Sequence, residues 1–182
     1  MVEIKGLEKL ASKDFPGHIS ATVFVGGCNF RCPFCHNQDL VLHPDKLEPF
    51  PIDFFTSFLD SREGWLEGVC ITGGEPLLHE DLDVLLQVIQ DRKLKVKLDT
   101  NGSYPDRLQA ILERKLVDAV AMDIKAAQNK YSRACGVKVN LGDIERSIDL
   151  IAESGLNVMF RTTVVPDIID EDAIQFIGEW LP

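Results

Sequence analysis

The chain has 182 residues and carries 29 Asp and Glu against 19 Lys and Arg, a net charge of −10. With 45% hydrophobic and 26% charged residues it has the composition of one folded domain, spanning residues 1–182, and not of a disordered or fibrous chain. The acidity argues against a nucleic-acid partner, because phosphate binding draws on clustered Lys and Arg, and no apolar run is long enough to cross a membrane.

The first residues, MVEIKGLEKLASKDF, lack the apolar stretch of a signal peptide and read as an extension with no element of their own. Five cysteines, an odd number, argue against a disulfide framework, so a cytoplasmic, thiol-reducing location is expected. Five short apolar or β-branched runs, at residues 19–25, 69–71, 95–98, 119–122 and 157–163, read as strands. Helical periodicity fills the intervals. After Pro51, Phe54, Phe55, Phe58 and Leu59 share a face, and past His79 so do Leu82, Leu85, Leu86 and Ile89. Pro105 and Asp106 open a helix carrying Leu108, Ile111 and Leu112. Gly142 precedes one that turns Ile144, Ile148 and Ile151 inward. A last helix starts at Asp170 and is expected to bury Ile174, Ile177 and either Phe176 or Trp180.

This alternation predicts an α/β fold with a parallel sheet. Right-handed crossovers would curl it into a full or partial parallel (β/α) barrel. In such barrels the chemistry sits where strands end. The loops at those ends are GGCNFRCPFCHN, TGGEP, DTNG, DIK and RTTVVP.

The first of these loops holds Cys28, Cys32 and Cys35 in a C-x3-C-x2-C cluster. Three cysteines can hold an iron–sulfur cube by three corners and leave one iron open. A structural zinc would want a fourth ligand, for which His36, His43 or Cys70 could serve. The spacing favours iron–sulfur and leaves zinc as the alternative.

The spacing, the aromatic Phe34 before the third cysteine and the trailing His36-Asn37 resemble the radical S-adenosylmethionine (radical SAM) enzymes. The CHN tail resembles, within that superfamily, the activating enzymes of glycyl-radical enzymes, and the preceding KDFPGHISATVFVGGCNFRC is most similar to those acting on anaerobic ribonucleotide reductase, the expected target, with the pyruvate formate-lyase activating enzymes as close relatives. The resemblance runs from about residue 14 to about residue 166. It implies a [4Fe–4S] cluster on Cys28, Cys32 and Cys35, with S-adenosylmethionine chelating the open iron. Reductive cleavage of that cofactor gives methionine and a 5′-deoxyadenosyl radical, which takes a hydrogen atom from a glycine of a partner protein. The implied partners are a glycyl-radical enzyme and a flavodoxin or ferredoxin-type electron donor.

The same resemblance assigns the loops. Gly73, Gly74 and Glu75 are expected at the methionyl amino group, and Phe34 and His36 near the adenine. Lys125 is expected to pair with the methionyl carboxylate, with Arg161 near the ribose and carboxylate. Asp99, Thr100, the carbonyl of Met122 and Asp123 are expected to build a monovalent-cation site beside that carboxylate. No side chain is expected to act as acid or base, and Cys70, Cys135, His18, His43 and His79 receive no role. Barrels of this group have six βα units, and five are visible here, so the sixth is expected to be missing from this chain. Two other functions compete: a small-molecule enzyme of the same superfamily, and a zinc-binding interaction module.

Overall fold

β-Branched and apolar residues at successive positions suit strands buried on both faces, and the five predicted runs form a parallel sheet in chain order. A computed structural model describing residues 2–182 places them as β2 (Ser20–Val25), β3 (Gly68–Gly73), β4 (Lys95–Thr100), β5 (Ala119–Asp123) and β6 (Asn157–Arg161). One further strand, β1 (Ile4–Ala11), adds antiparallel to β2, giving a six-stranded sheet ordered β1 to β6. The sequence reading assigns no element there, and the structure corrects it. Lys5, Glu8 and Lys9 interrupt any apolar alternation, but an edge strand needs little: only its ends, Ile4 and Ala11, are buried. With β1 and β6 as the two edges, the sheet is a partial barrel.

Seven α-helices follow among the described residues: α1 (Gln38–Leu42), α2 (Ile52–Asp60), α3 (Leu82–Gln90), α4 (Pro105–Glu113), α5 (Tyr131–Cys135), α6 (Leu141–Ala152) and α7 (Glu171–Trp180). The four predicted stripes of α2, α3, α4 and α6 are the ones that pack on the sheet, although Phe54 of α2 turns outward, beside Phe50 and under the ammonium of Lys9. Pro105 occupies the first turn of α4, where its missing N–H costs nothing. The Asn140 side chain caps α6 by accepting from Gly142 N–H at 3.2 Å.

The last helix departs from expectation. Asp170 caps α7 by accepting from Ala173 N–H at 2.8 Å, and this start aims Ala173, Ile177 and Trp180 at the body of the protein. Ile174 (50% exposed) and Phe176 (59% exposed) flank that stripe, one on each side. Trp180 stacks edge-on against Tyr131, ring centroids 5.9 Å apart.

The two faces of the sheet have different chemistry. Ala21, Val23, Ile71, Val96, Leu98 and Val120 point outward, into one apolar core shared with the helices. Alternate residues point the other way, and there the parallel register aligns Thr22, Cys70, Lys97 and Ala119 across four strands. Two residues further along β4 comes Asp99, and β5 ends on Asp123. The interior of the partial barrel is therefore polar, and it opens at the strand ends. No described helix is long and apolar enough to cross a membrane.

Candidate active site

The strand-end loops converge on one cleft enclosing about 770 Å³ out to its open mouth. The rim cysteines Cys28, Cys32 and Cys35 line it, with Phe34, His36 and Asn37 beside them. Thr72, Gly73, Gly74, Asp99, Thr100, Asn101, Asp123 and Lys125 form the remaining wall, together with Phe30, Val41 and Thr163.

Backbone contacts fix the cysteine loop. The Arg31 guanidinium donates to the carbonyls of Cys28 (2.5 Å) and Phe30 (2.7 Å), and Cys35 N–H donates to Cys32 C=O at 3.1 Å. Arg31 N–H donates to the Cys135 carbonyl at 2.7 Å, docking the loop onto the end of α5. The next residue, Gly136, sits at φ +67°, and a Cβ there would lie 2.2 Å from the Arg31 carbonyl oxygen, so only glycine permits this approach. On the other side, Gly74 packs so closely on Gly27 that a Cβ would fall 1.7 Å from its carbonyl oxygen. Gly74 N–H donates to Val25 C=O (2.9 Å) and Glu75 N–H to Gly27 C=O (2.8 Å), stitching TGGEP to the cysteine loop. Asn37 completes the join: its amide donates to the Gly73 carbonyl at 2.8 Å.

The three thiols sit in unequal surroundings. All are half-buried. Cys28 Sγ accepts from Phe30 N–H (3.3 Å) and from the Asn101 amide (3.7 Å). Burial pushes its pKa up to about 11 despite the Phe30 donor. Cys32 is held below the ordinary thiol range, chiefly by a hydrogen bond from the buried Cys135 thiol, whose own pKa that contact and burial drive upward. Cys135, given no role from sequence, thus lies directly behind a rim cysteine. Among the described residues no three His, Cys, Asp or Glu side chains close around a single ion.

Glu75 departs from its expected place. Its side chain does not line the cleft; it is 1% exposed and turned inward. There its carboxylate accepts from Leu77 N–H (3.0 Å), the Thr100 hydroxyl (2.8 Å) and Asn101 N–H (2.7 Å). Burial raises its pKa to about 7, against the opposing pull of those three donors. Its work is to clamp TGGEP to the DTNG loop.

The floor of the cleft is a chain of ion pairs. Lys97 Nζ donates to Asp99 Oδ1, and Arg161 donates to Asp99 Oδ2 at 2.9 Å and, through Nε, to Asp123 Oδ1 at 2.9 Å. Lys125 Nζ donates to Asp123 Oδ2 at 3.0 Å. Burial alone would push the Asp123 carboxyl up, but Lys125 and Arg161 outweigh it and hold it below the usual carboxylate range. The same pairs hold Lys125 and Arg161 above their ordinary values although burial opposes it. Arg161 is absent from the cleft wall because it bridges the two carboxylates. Met122 is also absent: it is fully buried on the outer face of the sheet, where its side chain fills the space beside Gly102.

A sequence model of the Radical SAM superfamily matches residues 22–179. The chain belongs to the radical SAM superfamily. A glycyl-radical enzyme activating enzyme, so named, of Methanocaldococcus jannaschii is 31% identical over 97% of this chain and 74% of its own length. The pyruvate formate-lyase-activating enzyme of Clostridium pasteurianum is 28% identical over 93% of this chain and 71% of its own. A GTP 3′,8-cyclase, so named, of Halobacterium salinarum is 31% identical over 81% of this chain but only 45% of itself. Among solved structures, SuiB of Streptococcus suis superposes with a TM-score of 0.66 at 19% identity, a likeness of fold covering 85% of this chain and 34% of SuiB. The chain thus spans between a third and three quarters of these proteins.

Radical SAM enzymes carry a [4Fe–4S] cluster and S-adenosylmethionine, and the cysteine loop suits such a pair. It offers three soft sulfur donors on one rim, two of them facing N–H groups or a thiol that stabilise negative charge, beside a wall of backbone and charged groups. The expected monovalent-cation site fits less well. Asp99 and Asp123 stand at the cleft as expected, yet each of their four carboxylate oxygens already accepts from a cationic side chain of this chain. Sequence reasoning missed Lys97, Asn101 and Cys135. The period-two alternation of β4 puts Lys97 on the same face as Asp99 and is the one signal that could have found it.

Proposed function

We propose that this radical SAM enzyme activates a glycyl-radical enzyme, and that Cys28, Cys32 and Cys35 hold its [4Fe–4S] cluster. The observation that carries the reading is the placement of three half-buried thiols in the lining of a single cleft that also includes Lys125. Held by these cysteines, a [4Fe–4S] cluster would supply the one-electron reduction of S-adenosylmethionine on which hydrogen abstraction from a glycine depends.

The chain's own residues bind and orient. Lys125 offers its ammonium to the methionyl carboxylate, and Gly73 and Gly74 let the backbone come close to the amino end. Phe34 and His36 form the wall available to the adenine. Asn37 and Glu75 touch no ligand in this reading; they hold the cysteine, TGGEP and DTNG loops in register. Arg161 keeps Asp99 and Asp123 together beneath. An acidic chain suits a glycyl-radical partner with a basic docking face, and a flavodoxin or ferredoxin-type protein is the donor this reading implies.

The test is anaerobic reconstitution with iron and sulfide, then dithionite and S-adenosylmethionine. The expected results are 5′-deoxyadenosine formation and a glycyl-radical signal by electron paramagnetic resonance when a glycyl-radical enzyme is added. Serine at 28, 32 or 35 is expected to abolish iron retention. Deoxyadenosine formed with a purine nucleotide, and no radical on any glycyl-radical enzyme, would instead place the chain with its cyclase relatives.

A further inference from the structure

We propose that the ammonium of Lys97 is the resident cation of this site, occupying the place beside Asp99 where the resemblance expects a monovalent metal ion. Lys97 is 3% exposed and rises from inside the partial barrel, beneath the cleft. Its Nζ pairs with Asp99 and lies 3.7 Å from the buried Cys70 sulfur. Across the sheet its register neighbour is Ala119, and that of Asp99 is Ala121, so the adjoining strand leaves room for a lysine where larger side chains would not.

Charge arithmetic points the same way. Three cations, Lys97, Arg161 and Lys125, face two carboxylates, Asp99 and Asp123. The cluster carries one surplus positive charge, which a single incoming carboxylate neutralises. A potassium or sodium ion added to the same set would leave that surplus standing in a desolvated site, which is costly. A lysine is also tethered: its stem runs through the protein interior, so it cannot dissociate, and the site stays charged at any salt concentration.

The consequence for cofactor binding rests on reading the cleft as the S-adenosylmethionine site; the identity of the cation can be tested without the cofactor. Thermal unfolding of the chain is measured in potassium, sodium and tetramethylammonium chloride at equal ionic strength. The wild type is expected to unfold at the same midpoint in all three. Lys97→Ala is expected to unfold earlier, to recover in potassium or sodium chloride, and to gain nothing from tetramethylammonium, which is too large for the vacated space. Lys97→Met, which removes the charge but keeps most of the volume, separates lost packing from lost charge and should recover less.

A wild-type midpoint that rises specifically in potassium or sodium overturns the proposal, and this comparison decides even if neither variant folds. Folded variants indifferent to all three salts overturn it too. On the cluster-loaded protein, equilibrium dialysis should give a wild-type affinity for S-adenosylmethionine independent of the salt. Lys97→Ala should bind about tenfold more weakly in tetramethylammonium than in potassium chloride, the size of one modest charge interaction. If the wild type binds no S-adenosylmethionine in any salt, the functional reading falls, while the unfolding midpoints still decide the role of Lys97.

Discussion

At the scale of one residue, Glu75 carries an electrostatic strain that pH can read. A wholly buried carboxyl costs free energy to ionise, and three donors only partly offset this, leaving its pKa near 7 instead of the ordinary 4.5. The sign follows from proton linkage. Between pH 4.5 and 7 the folded state holds a proton on Glu75 that the unfolded chain has released. Stability is therefore greatest from this group at low pH and is lost as pH rises through 7, by up to about 3 kcal/mol. Denaturant titrations of the iron-free chain from pH 5 to 8 should show this decline, and Glu75→Gln should flatten it while lowering stability at pH 5, because an amide nitrogen would then face a backbone N–H. An unchanged slope in the variant would assign the decline elsewhere. The motif containing Glu75 was readable in the sequence, whereas its direction was not. Its partners Thr100 and Asn101 lie on another strand end, and nothing local says that the carboxylate turns toward them instead of the cleft.

Whole elements were more legible than single side chains, because periodicity is a property of several residues at once. The stripes of α3 and α6 came through intact: Leu82, Leu85, Leu86 and Ile89 on one, Ile144, Ile148 and Ile151 on the other, all buried. The last helix shows where the signal fails. Ile174, Phe176, Ile177 and Trp180 cannot all share a face, and composition alone does not choose among them. The Asp170 cap and the Tyr131 ring do choose, and the second is a contact between distant segments. This makes a prediction for α7. Ile177→Ala should cost about 2–4 kcal/mol, as for other buried aliphatic truncations. Ile174→Ser and Phe176→Ser, both exposed and on either flank of the buried stripe, should each stay within about 0.5 kcal/mol of wild type. Urea unfolding midpoints check all three, and a loss at Phe176 equal to that at Ile177 would show that the Phe176 flank is packed in solution. The strand β1 escaped for the opposite reason: an edge held mainly by backbone hydrogen bonds to β2 leaves little hydrophobic pattern to read.

Across the whole molecule, the division of labour between the two sheet faces sets both stability and chemistry. The outer face supplies the core, and the inner face spends its positions on Thr22, Cys70, Lys97, Asp99, Asp123 and Arg161, which contribute polar and charged groups and little apolar burial. Burial on the sheet is also graded from centre to edge. Strands β3 and β4 have a strand on each side and mostly buried residues, while β6 pairs only with β5 and alternates between exposed and half-buried. Local opening requires breaking fewer contacts where neighbours are fewer, so protection against amide exchange should follow the same gradient. Amides of Val69, Ile71, Val96 and Leu98 should exchange only on global unfolding. Those of β6 and of the exposed middle of β1 should exchange faster by orders of magnitude, through local fraying. Hydrogen–deuterium exchange read by mass spectrometry resolves these segments. Equal protection of β6 and β3 would mean that the β6 edge is covered in solution, and that the cleft is walled on a side where the isolated chain leaves it open.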